Sequence, residues 1–148
     1  MEKYLGVKLI EAELMNKYEF YMNVKGVDCK EDNEEGYMVR YEDGYESWSP
    51  KAVFEEAYRR INNLTFGLAI EALKKGHRVA RSGWNGKGMF VYYVPANEYK
   101  TQTEVAKKEF GEYAKYNHYM ALKGVDGVVS TWVPSVTDCL AEDWAVVE

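Results

Sequence analysis

Apolar positions recur along the chain with two different spacings, and the switches between them predict the elements. Leu5, Val7 and Leu9 alternate with polar neighbours, so residues 4–15 read as a strand. A polar, acidic stretch over 28–36 reads as an exposed loop. Residues 36–41 (GYMVRY) and 45–49 (YESWS) flank Glu42-Asp43-Gly44, and an Asp-Gly connection between β-prone runs predicts a hairpin. Ser49 and Pro50 form a cap and first-turn pair, and Val53, Phe54, Ala57, Tyr58 and Ile61 then fall at helical spacing over 51–61.

The pattern restarts after Asn62-Asn63, with Thr65 as a cap and Phe66, Ala69, Ile70 and Leu73 on one helical face ended by Gly76. This divides the chain into an accessory β-hairpin and helix module, 1–62, and a second domain, 63–148. In the second domain 78–81 alternates as a short strand, 82–88 is turn-forming, and 89–94 (MFVYYV) reads as a buried strand stopped by Pro95. A helix is expected over 103–115, although Gly111 weakens it. Strands at 116–122 and 128–133 flank Lys123-Gly124-Val125-Asp126-Gly127, a second hairpin, and the tail gives one helical turn and a last strand at 144–147. The fold class expected is α+β, small antiparallel sheets with short helices packed on one side.

Composition changes this picture at one point. Thirteen Tyr and 4 Trp in 148 residues exceed what one small core hides, so some rings should line a ligand pocket or a subunit interface, or else the wet face of a Tyr-rich sheet. The net charge of −5 disfavours generic DNA or RNA binding. No stretch approaches the ~20 apolar residues of a membrane span, and Met1-Glu2-Lys3 is no secretory signal, so a cytoplasmic protein is expected. Cys29 and Cys139 have neither CxxC nor CxxH spacing, and no metal site or cofactor is expected.

Candidate chemistry concentrates in two clusters. In residues 81–89 (RSGWNGKGM) three glycines let the main chain approach a ligand, Arg81 and Lys87 can neutralise phosphate, Trp84 can stack on a base, and Asn85 can hydrogen-bond ribose or base edges. The same residues also fit a hairpin turn with positive φ at Asn85-Gly86 and Trp84 packed in the core, and on local physics alone the turn has the edge. In residues 132–144 (WVPSVTDCLAEDW), Ser135 or Thr137 can cap the short turn and Asp138 can receive ligand hydroxyls or orient a basic side chain. Capping alone explains Ser135 and Thr137, a solvated acidic turn explains Glu142 and Asp143, and for these four the plain structural explanation carries most of the weight. His77 and His118 have no nucleophile motif beside them, and no catalytic residue is singled out.

Taken together, FGLAIEALKKG at 66–76, VAR at 79–81, GWNGKGMF at 83–90 and LAEDW at 140–144 resemble the phage Thoeris anti-defence sponges of the second kind, over about 64–148. The resemblance implies a non-enzymatic homotetramer that binds glycocyclic ADP-ribose, the signal made by bacterial TIR-domain proteins, in the infected host cell. It places the ligand against Arg81, Trp84, Asn85, Gly86 and Lys87, with Ser135, Thr137 and Asp138. It further implies that cyclic oligonucleotides can be held at a separate site. Val136 stands where a glutamine is usual in that family, beside Pro134 and Cys139. Two readings compete with sequestration: an enzyme that degrades a cyclic nucleotide signal, and a non-catalytic phage protein-interaction module.

Overall fold

A computed structural model describes all residues, 1–148. The chain is α+β and divides into two compact units, Met1–Arg59 and Arg60–Glu148.

The first unit is built on an antiparallel sheet of β1 (Glu11–Leu14), β2 (Gly36–Arg40) and β3 (Glu46–Pro50), in that spatial order. The strand expected from residue 4 forms only from Glu11. Glu11 pairs with Arg40, beyond which β2 turns through Tyr41 and Gly44, so earlier residues have no strand to pair with. A short helix α1 (Lys17–Glu19), capped by the Asn16 side chain, runs on into a π-helical turn at Phe20–Val24 that buries Phe20. Helix α2 (Lys51–Ala57) ends before Ile61 because Tyr58 is extended, with φ −121°. There its ring continues a column in which Tyr37, Phe54 and Tyr58 stack at 4.1 and 4.9 Å.

The second unit holds a five-stranded antiparallel sheet in the order β10-β4-β5-β8-β9. Its strands are β4 (Arg78–Arg81), β5 (Phe90–Val94), β8 (Tyr119–Lys123), β9 (Val129–Thr131) and β10 (Trp144–Val147). Helix α3 (Phe66–Lys74) begins where the Thr65 hydroxyl accepts the Leu68 amide and gives Ala69 and Leu73 to the core. That core also contains Leu64, Val79, Val91 and Trp144, the last three residues being 0% exposed. At about 25 cal/mol per Å², rings and branched aliphatics buried this fully dominate the unit's stability. The unit begins ahead of Asn63, because Ile61 accepts the Val146 amide and Leu64 bridges Trp144.

Between β5 and β8 the chain makes an excursion: β6 (Asn97–Lys100), α4 (Glu104–Phe110) and β7 (Tyr113–Tyr116), with β6 and β7 paired as a separate two-stranded sheet. The expected longer helix stops at Gly111, whose φ of 81° breaks helical geometry, and the chain continues as a strand. Buried Thr101 closes the excursion, its hydroxyl donating to the Gly111 carbonyl at 2.7 Å. Helix α5 (Val136–Leu140) precedes β10. No helix is long and apolar enough to cross a membrane.

Candidate ligand-binding site

Arg81 from the first cluster and Asp138 from the second meet at the end of β4. Trp144 pairs with Arg81 in the ladder, which brings Asp143 beside the arginine although 62 residues separate them. Arg81 Nε donates to Asp143 Oδ1 at 2.8 Å and Nη1 donates to Asp138 Oδ1 at 3.0 Å. The side chain of Arg81 is 18% exposed and that of Asp138 14%, so this is a partly desolvated pair of ion pairs rather than a surface contact. The bonds to Asp143 and then Asp138 raise the Arg81 pKa above its ordinary value. Asp143 lies below the usual carboxylate range, chiefly through Arg81 and then, against partial burial, through the Gly83 amide. For Asp138 burial pushes the pKa up, but the Ser135 amide, the Ser135 hydroxyl and Arg81 together outweigh it, and the net shift is downward.

Asp138 does a second job with its other oxygen. Oδ2 accepts the Ser135 amide at 2.9 Å and the Ser135 hydroxyl at 2.8 Å, while Ser135 Oγ accepts the Asp138 amide. This capping box satisfies the first turn of a five-residue helix that could not stand alone. The Asp138 carbonyl also accepts Trp144 Nε1 at 2.9 Å, tying α5 to the core tryptophan. Thr137 is exposed on α5, as are the apolar side chains of Val136 and Leu140.

Asp143 likewise uses both oxygens. Its Oδ2 accepts the Gly83 amide at 2.9 Å, and a Cβ added at Gly83 would lie 2.9 Å from that oxygen, so the glycine permits the approach. The Ser82 hydroxyl donates to it more distantly, at 3.4 Å. Residues 82–89 are therefore anchored at their start. Trp84 follows, half-buried, its ring edge-to-face with Trp132 at 6.2 Å and with Trp144 at 5.4 Å. A Cβ at Gly86 would collide with the Met89 side chain and lie 2.9 Å from Val125 Cγ1, so the loop folds closely over its own end and the tip of the β8–β9 hairpin. Lys123 Nζ donates to the Gly88 carbonyl at 3.2 Å.

Two features depart from the tight hairpin reading. Neither Asn85 nor Gly86 has positive φ; the left-handed residue is Gly88, at φ 75°. The β4–β5 ladder registers Val79 with Val91, so the loop is an eight-residue excursion instead of a two-residue turn. Asn85 and Lys87 stand exposed on it, making no hydrogen bond or ion pair.

The structure thus sorts the expected site residues. Asp138 bonds both Arg81 and Ser135, Gly86 shapes the loop, Trp84 rests on the aromatic cluster, and Asn85, Lys87 and Thr137 are left facing solvent. Asp143 was expected in a solvated turn, but it is half-buried and holds both Arg81 and Gly83, whereas Glu142 beside it is exposed. Trp132 and Trp144 also support the site, and the signal for all three was their place in the second aromatic-acidic cluster. The arrangement can present a cation and an amide from a rigidly rooted loop beside a tryptophan edge.

The two clusters joined by this geometry both lie in a stretch, residues 64–147, that matches the Tad2-like family, described as a Thoeris anti-defense 2-like domain. The chain is also similar to the Thoeris anti-defense 2 protein of Bacillus phage SP01, 40% identical over 87 residues that cover 57% of this chain and 94% of that relative. With more than half of its length matched, the chain belongs to the Thoeris anti-defense 2-like family, and an anti-defence role comes with that membership.

Proposed function

We propose that the protein binds and sequesters a nucleotide immune signal of the cyclic ADP-ribose type, glycocyclic ADP-ribose made by TIR-domain proteins, without cleaving it. The Thoeris effector is then never activated. The observation that carries this reading is the loop itself: rooted by Asp143 on the Gly83 amide, it leaves Lys87 and Asn85 exposed and unengaged next to Trp84. A diphosphate needs a cation, ribose or base edges need an amide, and a base needs a ring. Lys87, Asn85 and Trp84 supply these, with Thr137 offering a hydroxyl from α5. The acidic excess of the chain lies in residues 1–59, so it does not crowd this loop within its own unit.

Binding without turnover accords with the state of the carboxylates. Asp138 and Asp143 are held ionised by Arg81 and by backbone amides, which makes them poor proton shuttles near neutral pH. A homotetramer suits the exposed apolar side chains around α5, where Val133 is 85%, Val136 76% and Leu140 77% exposed in the single chain. A second copy seated there would cover those side chains. The decisive experiment incubates the full chain with glycocyclic ADP-ribose, removes unbound nucleotide, denatures the protein and weighs what is released. Intact signal in near-stoichiometric amount is expected; a hydrolysed product would establish the degrading enzyme instead, and retention of no nucleotide would favour a protein-interaction module.

A further inference from the structure

Arg81 touches both carboxylates that fix the glycine-rich loop and the turn into α5. Asp143 holds Arg81 through Oδ1 and the Gly83 amide through Oδ2; Asp138 holds Arg81 through Oδ1 and the Ser135 amide and hydroxyl through Oδ2. The backbone of the loop and the backbone of the 135–138 turn are therefore joined through a single guanidinium. We propose that Arg81 is a positioning residue of the binding site, one that sets the loop carrying Asn85 and Lys87 in register with Thr137 and does not itself meet the ligand's phosphates. This rests on the sequestration reading above.

Charge favours that role over direct contact. One guanidinium shared by two ionised carboxylates leaves the cluster with a net negative charge, so a diphosphate brought to it would be repelled, while Lys87 remains an unpaired cation a few residues away. Holding the strands together does not require the cluster either, because β4 and β10 are already paired from Trp144–Arg81 through Val147–Arg78. What the arginine adds is the link between two loops that have no ladder between them. Lysine lacks the fixed planar fork by which Arg81 reaches Asp143 through Nε and Asp138 through Nη1, two separate nitrogens of one rigid group.

The test compares Arg81→Lys, Asp143→Asn and Lys87→Ala in the full chain, reading amide hydrogen exchange in the free protein and affinity for glycocyclic ADP-ribose across a salt series. Arg81→Lys and Asp143→Asn are expected to speed exchange at Gly83 and Trp84 roughly tenfold or more and to weaken binding, with the salt dependence as steep as in the unaltered protein. Lys87→Ala is expected to flatten the salt dependence and leave exchange unchanged. The proposal is overturned if Arg81→Lys leaves loop exchange and affinity as they were, or if the Arg81 variant affects affinity with no change in exchange. Failure of the unaltered protein to bind the nucleotide would sink the sequestration reading alone, and exchange at Gly83 would still decide whether Arg81 sets the loop.

Discussion

Trp84 meets Trp144 edge-to-face with ring centroids 5.4 Å apart, and Trp132 completes the set at 5.8 Å from Trp144. Trp144 is fully buried, whereas Trp84 is only half-buried. The loop tryptophan is thus a member of the aromatic cluster that is not wholly withdrawn from solvent. Its removal should divide its effect between folding and binding.

Trp84→Ala is expected to cost about 2–3 kcal/mol of stability, below the roughly 3–5 kcal/mol of a wholly buried Trp, because only part of the ring leaves a cavity. A further loss of about 1–3 kcal/mol in binding is expected if the exposed part stacks on adenine. Denaturant unfolding and calorimetry on the same variant measure the two. A stability loss with unaltered affinity would remove Trp84 from the ligand site.

Lys87→Ala separates charge from fold. The side chain is exposed and unpaired, so stability should stay within about 0.5 kcal/mol of the unaltered protein. Affinity for a diphosphate ligand should fall, and its dependence on ionic strength should become shallower. An affinity equal to that of the unaltered protein at low salt would show that the phosphates lie elsewhere.

How much of this could be seen before the structure depends on whether the signal was local. Asp43-Gly44 and Asp126-Gly127 carry their own turn chemistry, and Gly44 and Gly127 have φ of 84° and 81°. Helix α3 announced itself through Thr65 and the spacing of Phe66, Ala69 and Leu73. By contrast, β6 is exposed at all four positions and β7 at three of four, so neither shows the alternation that marks a half-buried strand. Asn85-Gly86 looked like a tight turn, but the fixing of Gly83 by Asp143 and of Gly88 by Lys123 opens a broader loop. The partnership of Arg81 with Asp143 depends on strand pairing across 62 residues, which no local spacing reveals. The residue types of the candidate site could be named from the sequence; the division between those that bond to each other and those left free could not.

Acid should weaken the second unit through the same carboxylates. Folding lowers the pKa of both Asp138 and Asp143, so their contribution is complete above the unfolded aspartate value of about 4 and is lost as pH falls through the lower folded values. Arg81 stays charged throughout and adds no slope. Melting temperature followed from pH 7 downward should hold level to about pH 4 and then fall. Asp143→Asn should start lower and show a gentler acid limb; an acid limb as steep as that of the unaltered protein would show that other groups govern it.

The apolar side chains that the single chain leaves in water around α5 offer a surface for the proposed assembly. Light scattering on the full chain is expected to return a homotetramer. Leu140→Asp, at a position 77% exposed, should lower the assembled mass while costing little in the fold of each chain. A monomer at micromolar concentration for the unaltered protein would leave those side chains without the proposed partner.

The last expectation concerns where the binding unit begins. Contacts divide the chain between Arg59 and Arg60, and the reason lies in the backbone: the Val146 amide donates to the Ile61 carbonyl at 2.8 Å, and Leu64 and Trp144 exchange hydrogen bonds at 2.7 and 3.2 Å. A chain starting at Arg60 keeps every one of these bonds, so it should fold by itself and retain the affinity of the whole protein within about threefold, as expected of a separate unit. A chain starting at Asn63 loses the Ile61 acceptor and leaves the Val146 amide on the sheet edge without its partner. It should bind the same ligand but melt a few degrees lower, consistent with about 1 kcal/mol for one lost backbone hydrogen bond. Calorimetry and thermal unfolding on the two truncated chains measure both quantities. If the chain from Arg60 folded cooperatively yet bound nothing, residues 1–59 would have to be counted as part of the site.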